Sequence, residues 1–338
     1  MSSMDIGIDL GTTTVIIYCK DEGAVLSEPS VVAVKRKTEE VVAVGEEAYK
    51  MLGKAPDRLE VIKPMSDGVI SDYSATEVMI KFFLQKVFGG SILKPRVCLC
   101  VPSQITGVES RAVVDSAVSA GARKVYLIEE PVAAALGAGL DITHPNGTMI
   151  VDVGGGTTDI AVLSLNGIVT KHSIKVAGNK LDDMIIKHMK DFHSLLIGEQ
   201  TARQIKTEVG CAYPREDDKE VLVRGRNLLT GLPQQITVGW KEIYGAIKDP
   251  IDEIVHAAQQ VIERTPPELV GDVFENGMVL TGGGSLLHGL DTLLTEKTRI
   301  QARIADDPIH CVARGTSMAF DYLDKLYDGF VDTGIKMK

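Results

Sequence analysis

The sequence predicts an α/β fold in two similar lobes, each opening with a hairpin suited to phosphate. Three observations lead there. The run Ile6-Gly7-Ile8-Asp9-Leu10-Gly11-Thr12-Thr13-Thr14-Val15-Ile16-Ile17-Tyr18 sets two Ile/Val-rich strands around a Gly-Thr turn, with an acid just before it. The run from Met149 to Val162 repeats that layout as apolar strand, Asp152, Gly154-Gly155-Gly156, Thr157-Thr158 and apolar strand. Strand-like and helix-like segments then alternate through most of the remaining chain, which is the α/β signature. A chain of 338 residues suits two domains or two lobes, and the repeat is too long-ranged for a solenoid.

Between the two hairpins, Val31–Val34 and Val41–Gly45 read as short strands around a charged turn. Ser74-Ala75-Thr76-Glu77 has capping-box spacing, and Val78, Met79, Phe82, Phe83 and Val87 follow at helical intervals. Residues 96–101 read as a strand ended by Pro102, 108–120 as a helix stopped by Gly121, and 125–128 as a strand. Pro131 opens a small-residue helix through Ala138. In the second half, 181–192 and 201–209 read as helices, and 220–223 and 235–238 as strands of a small subdomain. Residues 240–264 form a long helical pattern in which Pro250 is a kink or a new start. Residues 277–281 are a strand before Gly282-Gly283-Gly284, a helix starts at or after Ser285, and 313–326 is the closing helix.

Three Gly-rich turns therefore each follow a strand. Glycine lets backbone N–H groups approach phosphate oxygens, and Thr or Ser hydroxyls add donors. One such turn alone is equally a tight hairpin; two Asp-bearing copies plus a third turn point to phosphate. None is a P-loop, and none matches a dinucleotide GxGxxG. Asp9 and Asp152, each beside a turn, suit Mg²⁺ held through water, although either alone reads as a turn-capping side chain. Glu130, in Glu129-Glu130-Pro131, could orient or deprotonate a water, or simply place charge at a helix start.

Composition narrows the class. With 36 basic and 46 acidic residues the net charge is −10, which argues against a nucleic-acid binder. No apolar run is long enough to span a bilayer, and the chain enters a strand pattern at Asp5 without a signal-peptide pattern. The five cysteines (19, 98, 100, 211 and 311) have no CxxC spacing. They read as reduced thiols of a cytosolic protein, with Cys98 and Cys100 sharing one strand face.

These motifs, together with Glu28-Pro29-Ser30-Val31-Val32, Lys63-Pro64-Met65-Ser66-Asp67-Gly68-Val69-Ile70, Leu127 to Ala135, Thr230-Gly231-Leu232-Pro233, Thr265 to Leu269 and Leu280 to Leu287, resemble the actin/Hsp70/sugar-kinase ATPase superfamily. Within it the chain resembles the MreB family of bacterial rod-shape-determining actin homologues, from about Asp5 to Leu326. The resemblance implies an actin-like two-lobed fold with two RNase H-like cores, each carrying a small subdomain, and ATP in the interlobe cleft. Lobe I would cover 1–145 (small subdomain about 32–64) and lobe II 146–338 (about 180–242).

It further implies a slow ATPase that needs Mg²⁺. Asp9 and Asp152 would hold the ion through water. Gly11, Thr12, Thr13 and Thr14 would line one phosphate loop, and Gly154, Gly155, Gly156, Thr157 and Thr158 the other. Glu130 would position the hydrolytic water, with Asp152, Thr158 and Asp159 assisting. Arg203, Gln204, Ile205 and Lys206, with Gly282, Gly283, Gly284, Ser285 and Leu286, would frame ribose and adenine. Thr13-Thr14, Asp159 and Arg203 depart from the family pattern, which has Ala-Asn, Glu and Glu there. The implied role is a filament, in antiparallel double protofilaments, that organises cell-wall synthesis and sets cell shape. Its place would be cytoplasmic, peripheral at the inner face of the cell membrane. Ile92 and Leu93, flanked by Lys94 and Arg96, would contact lipid, and a RodZ-like anchor and the elongation machinery would be partners. The alternatives are a soluble actin-superfamily ATPase or small-molecule kinase, and a diverged positioning filament.

Overall fold

A computed structural model describes residues 5–20, 22–88, 94–102, 106–323 and 330–336. Strands β1 (Asp5–Leu10), β2 (Thr14–Cys19) and β3 (Gly23–Pro29) form an antiparallel meander. A small sheet follows from β4 (Val32–Lys35), β5 (Val41–Val44) and β6 (Leu59–Ile62), with the short helix α1 (Glu46–Tyr49) between the last two. After the two-residue strands β7 (Met65–Ser66) and β8 (Val69–Ile70) come α2 (Tyr73–Phe88), β9 (Arg96–Val101), α3 (Gly107–Ser119), β10 (Lys124–Glu129) and α4 (Glu130–Gly137). Strand β9 pairs in parallel with both β1 and β10.

The second half repeats this plan. Strands β11 (Thr148–Val153), β12 (Thr158–Ser164) and β13 (Gly167–Ile174) are again an antiparallel meander. Helix α5 (Gly178–His193), β14 (Leu195–Leu196), α6 (Glu199–Val209), β15 (Glu220–Asn227) and β16 (Pro233–Gly239) build the second small subdomain. Helices α7 (Trp240–Arg264) and α8 (Pro267–Asn276) lead to β17 (Met278–Thr281), α9 (Leu290–Thr298) and β18 (Ala302–Ile304). Strands β17 and β18 extend the sheet in parallel from β11. The orders β3-β2-β1-β9-β10 and β13-β12-β11-β17-β18 are the same topology twice. The chain closes with α10 (Cys311–Met318) and β19 (Phe330–Lys336).

Helices α4 and α10 sit between the two sheets. Strand β9 shows how the sequence provides for this. Val97, Leu99 and Val101 join the core shared with α2 and α3, while Cys98 and Cys100 face the layer containing α4 and α10. Such a strand is apolar throughout because both faces are covered. All five cysteines are buried and outside any disulfide.

Four expectations are corrected. Asp72, not Ser74, caps α2: its Oδ1 accepts from Ala75 N–H at 2.9 Å, and Ser74 lies inside the helix. Pro250 is not a new start: α7 is one helix through it, because Ile243, Ile247, Ile251 and Ile254 keep one buried face across it. The closing helix stops at Met318 and passes into a 3₁₀ turn, Ala319–Asp321. Residues 330–336 then pair antiparallel with β10, so the end of the chain belongs to the first sheet rather than to an uninterrupted second lobe.

Candidate nucleotide site between the sheets

The duplicated hairpins face each other across a cleft of about 700 Å³. Asp9 and Asp152 are each the penultimate residue of the first strand of their meander, so the repeated topology brings them to one floor. Glu130, the first residue of α4, joins them. The turns above are in near contact. A Cβ on Gly155 would lie 1.8 Å from Thr13 Oγ1, and one on Gly156 2.5 Å from Thr12 Oγ1. Only glycine allows the loops this approach. Thr12 Oγ1 also accepts from Gly68 N–H at 3.0 Å, and Thr13 Oγ1 donates to Asn179 Oδ1 at 3.3 Å. The start of α5 is laced to the second loop through Gly178 N–H to Gly154 O (3.2 Å) and Asn179 N–H to Gly155 O (2.8 Å). These bonds fix the second loop against the start of α5.

The floor is acidic. Burial pushes the Asp152 carboxyl up to about 7, with Asp9 and Asp159 adding to the shift, even though Oδ1 accepts from Thr281 Oγ1 at 2.6 Å. Burial raises Asp9 to about 6 against the hydrogen bond from Cys100 Sγ at 3.1 Å. Glu130 is raised well above the usual carboxylate range, by burial first and then by Asp159, Asp152 and Asp9. Nearby basic side chains are committed elsewhere: Lys171 pairs with Glu129, Lys206 with Asp182 and Arg215 with Asp217. A cluster of oxygen donors short of positive charge fits a hard cation such as Mg²⁺.

On the far side Arg203, Lys206, Thr207 and Gly210 of α6 and its C-terminal end face Gly282, Gly283, Gly284 and Leu286. Lys206 Nζ donates to Gly178 O at 2.7 Å and lies 2.8 Å from Asp182 Oδ1; burial lowers the lysine and raises the aspartate, and their pairing offsets both shifts. The small subdomains also meet across the cleft. Lys63 pairs with Glu199, Gln200 Nε2 donates to Tyr49 O at 2.9 Å, and the Arg203 guanidinium lies 5.9 Å from the Tyr49 ring centre.

The expected residues Asp9, Gly11 to Thr14, Glu130, Asp152, Gly154 to Thr157, Arg203, Lys206, Gly282 to Gly284 and Leu286 all line this cleft. Five others do not. Gln204 is turned to Glu208 (Nε2 to Oε1, 2.8 Å), and Ile205 is fully buried in the second-lobe core. Thr158 Oγ1 donates to Val176 O at 2.7 Å, and Ser285 Oγ to Gly282 O at 2.7 Å, so both hold the backbone. Asp159 lies under the floor, hydrogen-bonded to Glu130. Ile92 and Leu93 lie outside the described residues. Sequence reasoning missed Gly68, Asn179, Thr207, Arg215 and His288. For Asn179 a signal existed: Gly178-Asn179 opens a helix, the preferred place for an anion.

The carboxylates set a pH dependence. Asp9 and Asp152 have native pKa values raised above the unfolded value near 3.8, so between about pH 4 and 7 the native state holds more protons than the unfolded state. Stability therefore falls across that window and levels off above it. Differential scanning fluorimetry without nucleotide or Mg²⁺ should show Tm decreasing from pH 5 to 8, and Asp152→Asn should reduce the decrease. A flat wild-type profile would contradict this assignment.

Two sheets of one topology, sharing a pair of helices and meeting at matched phosphate turns, define the actin-like class of folds. The family model described as MreB/Mbl protein matches residues 3–328, and the chain belongs to that family. It is 50% identical over 327 residues to the cell shape-determining protein Mbl of Bacillus cereus, covering 96% of this chain and 98% of that protein. It is 48% identical over 330 residues to the cell shape-determining protein MreB of Escherichia coli K12, covering 96% and 95%. The crystal structure of MreB5 of Spiroplasma citri bound to ADP superposes with a TM-score of 0.91 at 34% identity, covering 96% of this chain and 98% of that one.

Proposed function

We propose that this chain is a shape-determining, actin-like filament protein that binds ATP in the cleft and hydrolyses it slowly. The observation that carries the reading is the pair of phosphate loops in near contact above three carboxylates, Asp152 buried and Asp9 and Glu130 half-buried. Family membership and the ADP held by the related MreB5 support it.

Thr12 and Thr14 would donate to phosphate from one side, with Thr13 using its backbone N–H because its hydroxyl serves Asn179, and the backbone N–H groups of Gly155 to Thr157 would donate from the other. Asp9 and Asp152 would hold Mg²⁺ through water, and the ion would supply charge neutralisation at the phosphates when bound. Glu130 would hold the attacking water and take its proton, which suits a carboxyl whose proton affinity is raised. Asp159 would act through Glu130, as a positioning residue. Arg203, Lys206 and the 282–286 turn would frame the nucleoside.

Contacts between the small subdomains and across the two loops close the cleft, so a γ-phosphate bridging both loops would favour the closed shape. That shape would be the one that assembles, and hydrolysis would loosen it. No helix among the described residues is long and apolar enough to cross a membrane. Membrane association at the inner face would instead use residues 89–94, with Ile92 and Leu93 inserting weakly and the polymer supplying avidity. A RodZ-like anchor, antiparallel double protofilaments and coupling to the wall-elongation machinery complete the proposal.

Sedimentation with anionic liposomes tests it. Pelleting should require Mg²⁺-ATP, persist in Glu130→Ala, and lose its lipid dependence in the variant combining Ile92→Ser and Leu93→Ser. A protein that stays in the supernatant under every condition would overturn the filament reading.

A further inference from the structure

We propose that His188, His193 and Glu242 form a binding site for a borderline divalent metal ion of the zinc class, separate from the nucleotide cleft. His188 and His193 lie in the last turns of α5, and Glu242 lies in the first turn of α7. One ligand atom from each comes within 4.8 Å of the other two. The His188 Nε2 lies 2.6 Å from Glu242 Oε1, and the His193 Nε2 meets that same oxygen. Two imidazole nitrogens and a carboxylate oxygen therefore converge on one point from two helices.

The surroundings hold this arrangement. Phe192 stacks on the His188 ring with centroids 4.5 Å apart and planes 24° apart, which fixes the direction of its nitrogen. Ser194, at φ 50°, ends α5 in a left-handed turn directly after His193. The side chains of His188, His193 and Glu242 are 13%, 29% and 30% exposed, so the site is partly desolvated yet open to an incoming ion.

The donor set selects the metal. Two imidazoles and one carboxylate make the three-ligand zinc arrangement with an open fourth position. Imidazole suits Zn²⁺ and its neighbours rather than Mg²⁺ or Ca²⁺, whereas the cleft floor gathers the carboxylates Asp9, Asp152 and Glu130. The two sites are far apart: α5 has sixteen residues and spans about 24 Å. Its first residues touch the second phosphate loop, and its last would hold the metal. A bound ion would thus brace the far end of the helix that carries Asn179 into the cleft.

The test uses the full, untagged chain, freed of metal with a chelator and loaded with nucleotide and excess Mg²⁺. Co²⁺ titration should give visible d–d bands saturating at one ion per chain, and Zn²⁺ should displace them. His193→Ala and Glu242→Gln should each weaken Zn²⁺ binding by about a hundredfold, with Asp152→Asn retaining it. X-ray absorption of the zinc-loaded wild type, which needs no variant, should show a shell containing two imidazoles. A chain that binds no Co²⁺ or Zn²⁺ above the level of the variants has only a hydrogen-bonded cluster here, and a zinc shell without imidazole would equally overturn the site.

Discussion

Glu130→Gln should lower the rate of phosphate release by about 10²–10⁴-fold while nucleotide still binds. The substitution keeps the shape of the side chain and a hydrogen bond toward Asp159, and removes only the ability to accept a proton. Nucleotide affinity should hold because the phosphate loops and the α6 wall are untouched. A second effect has the opposite sign. Glu130 is half-buried beside Asp9, Asp152 and Asp159, and their charges oppose its ionisation. A neutral amide there removes that repulsion, so the nucleotide-free variant should melt at or above the wild-type temperature at pH 8. Single-turnover phosphate release, equilibrium nucleotide binding and thermal melting separate the three claims. Wild-type turnover at full occupancy would remove Glu130 from the reaction.

The sequence made the site legible where the chain repeats itself. Asp9 and Asp152 could be matched because both hairpins carry the same short, local signal, and local signals survive in sequence. The cleft's other walls come from tertiary arrangement. Reading 203–206 as a block ignored helix geometry: three residues apart shares a face, so Arg203 and Lys206 reach the cleft while Ile205 turns into the core. Thr158 and Ser285 look like donors in sequence, but their hydroxyls are consumed by nearby carbonyls. Asp67-Gly68 carries no phosphate signal of its own, and reaches Thr12 only because the β7–β8 turn folds over the first loop. The pairing of β19 with β10 was invisible for the same reason: an edge strand is defined by the neighbour it meets.

The largest loss of stability should come from Gly315→Ala, a change of one methyl group remote from any phosphate. Helices α4 and α10 cross where Gly137 and Gly315 face each other's backbone. A Cβ on Gly315 would lie 1.8 Å from Ala133 O, and one on Gly137 1.8 Å from Cys311 O. No rotamer relieves a clash between a Cβ and a backbone oxygen, so the helices must separate. This pair is the layer between the two sheets, so separation opens both cores at once. The cost should be about 3 kcal/mol or more, the range of severe overpacking. Because Arg314 Nε also donates to Gly137 O at 2.6 Å, moving α10 drags on α4 and on Glu130 at its start. Turnover should therefore fall even in the fraction that stays folded. Gly245→Ala supplies the contrast. Gly245 lies inside α7, and a Cβ there meets nothing within 4 Å, so this change should stabilise by about 0.5–1 kcal/mol. Denaturant melts of both variants check the pair. If Gly315→Ala proved as mild as Gly245→Ala, the two sheets would not depend on that close crossing. Combining Gly137→Ala with Gly315→Ala should cost less than the sum of the single changes, since one separation of the helices accommodates both methyl groups.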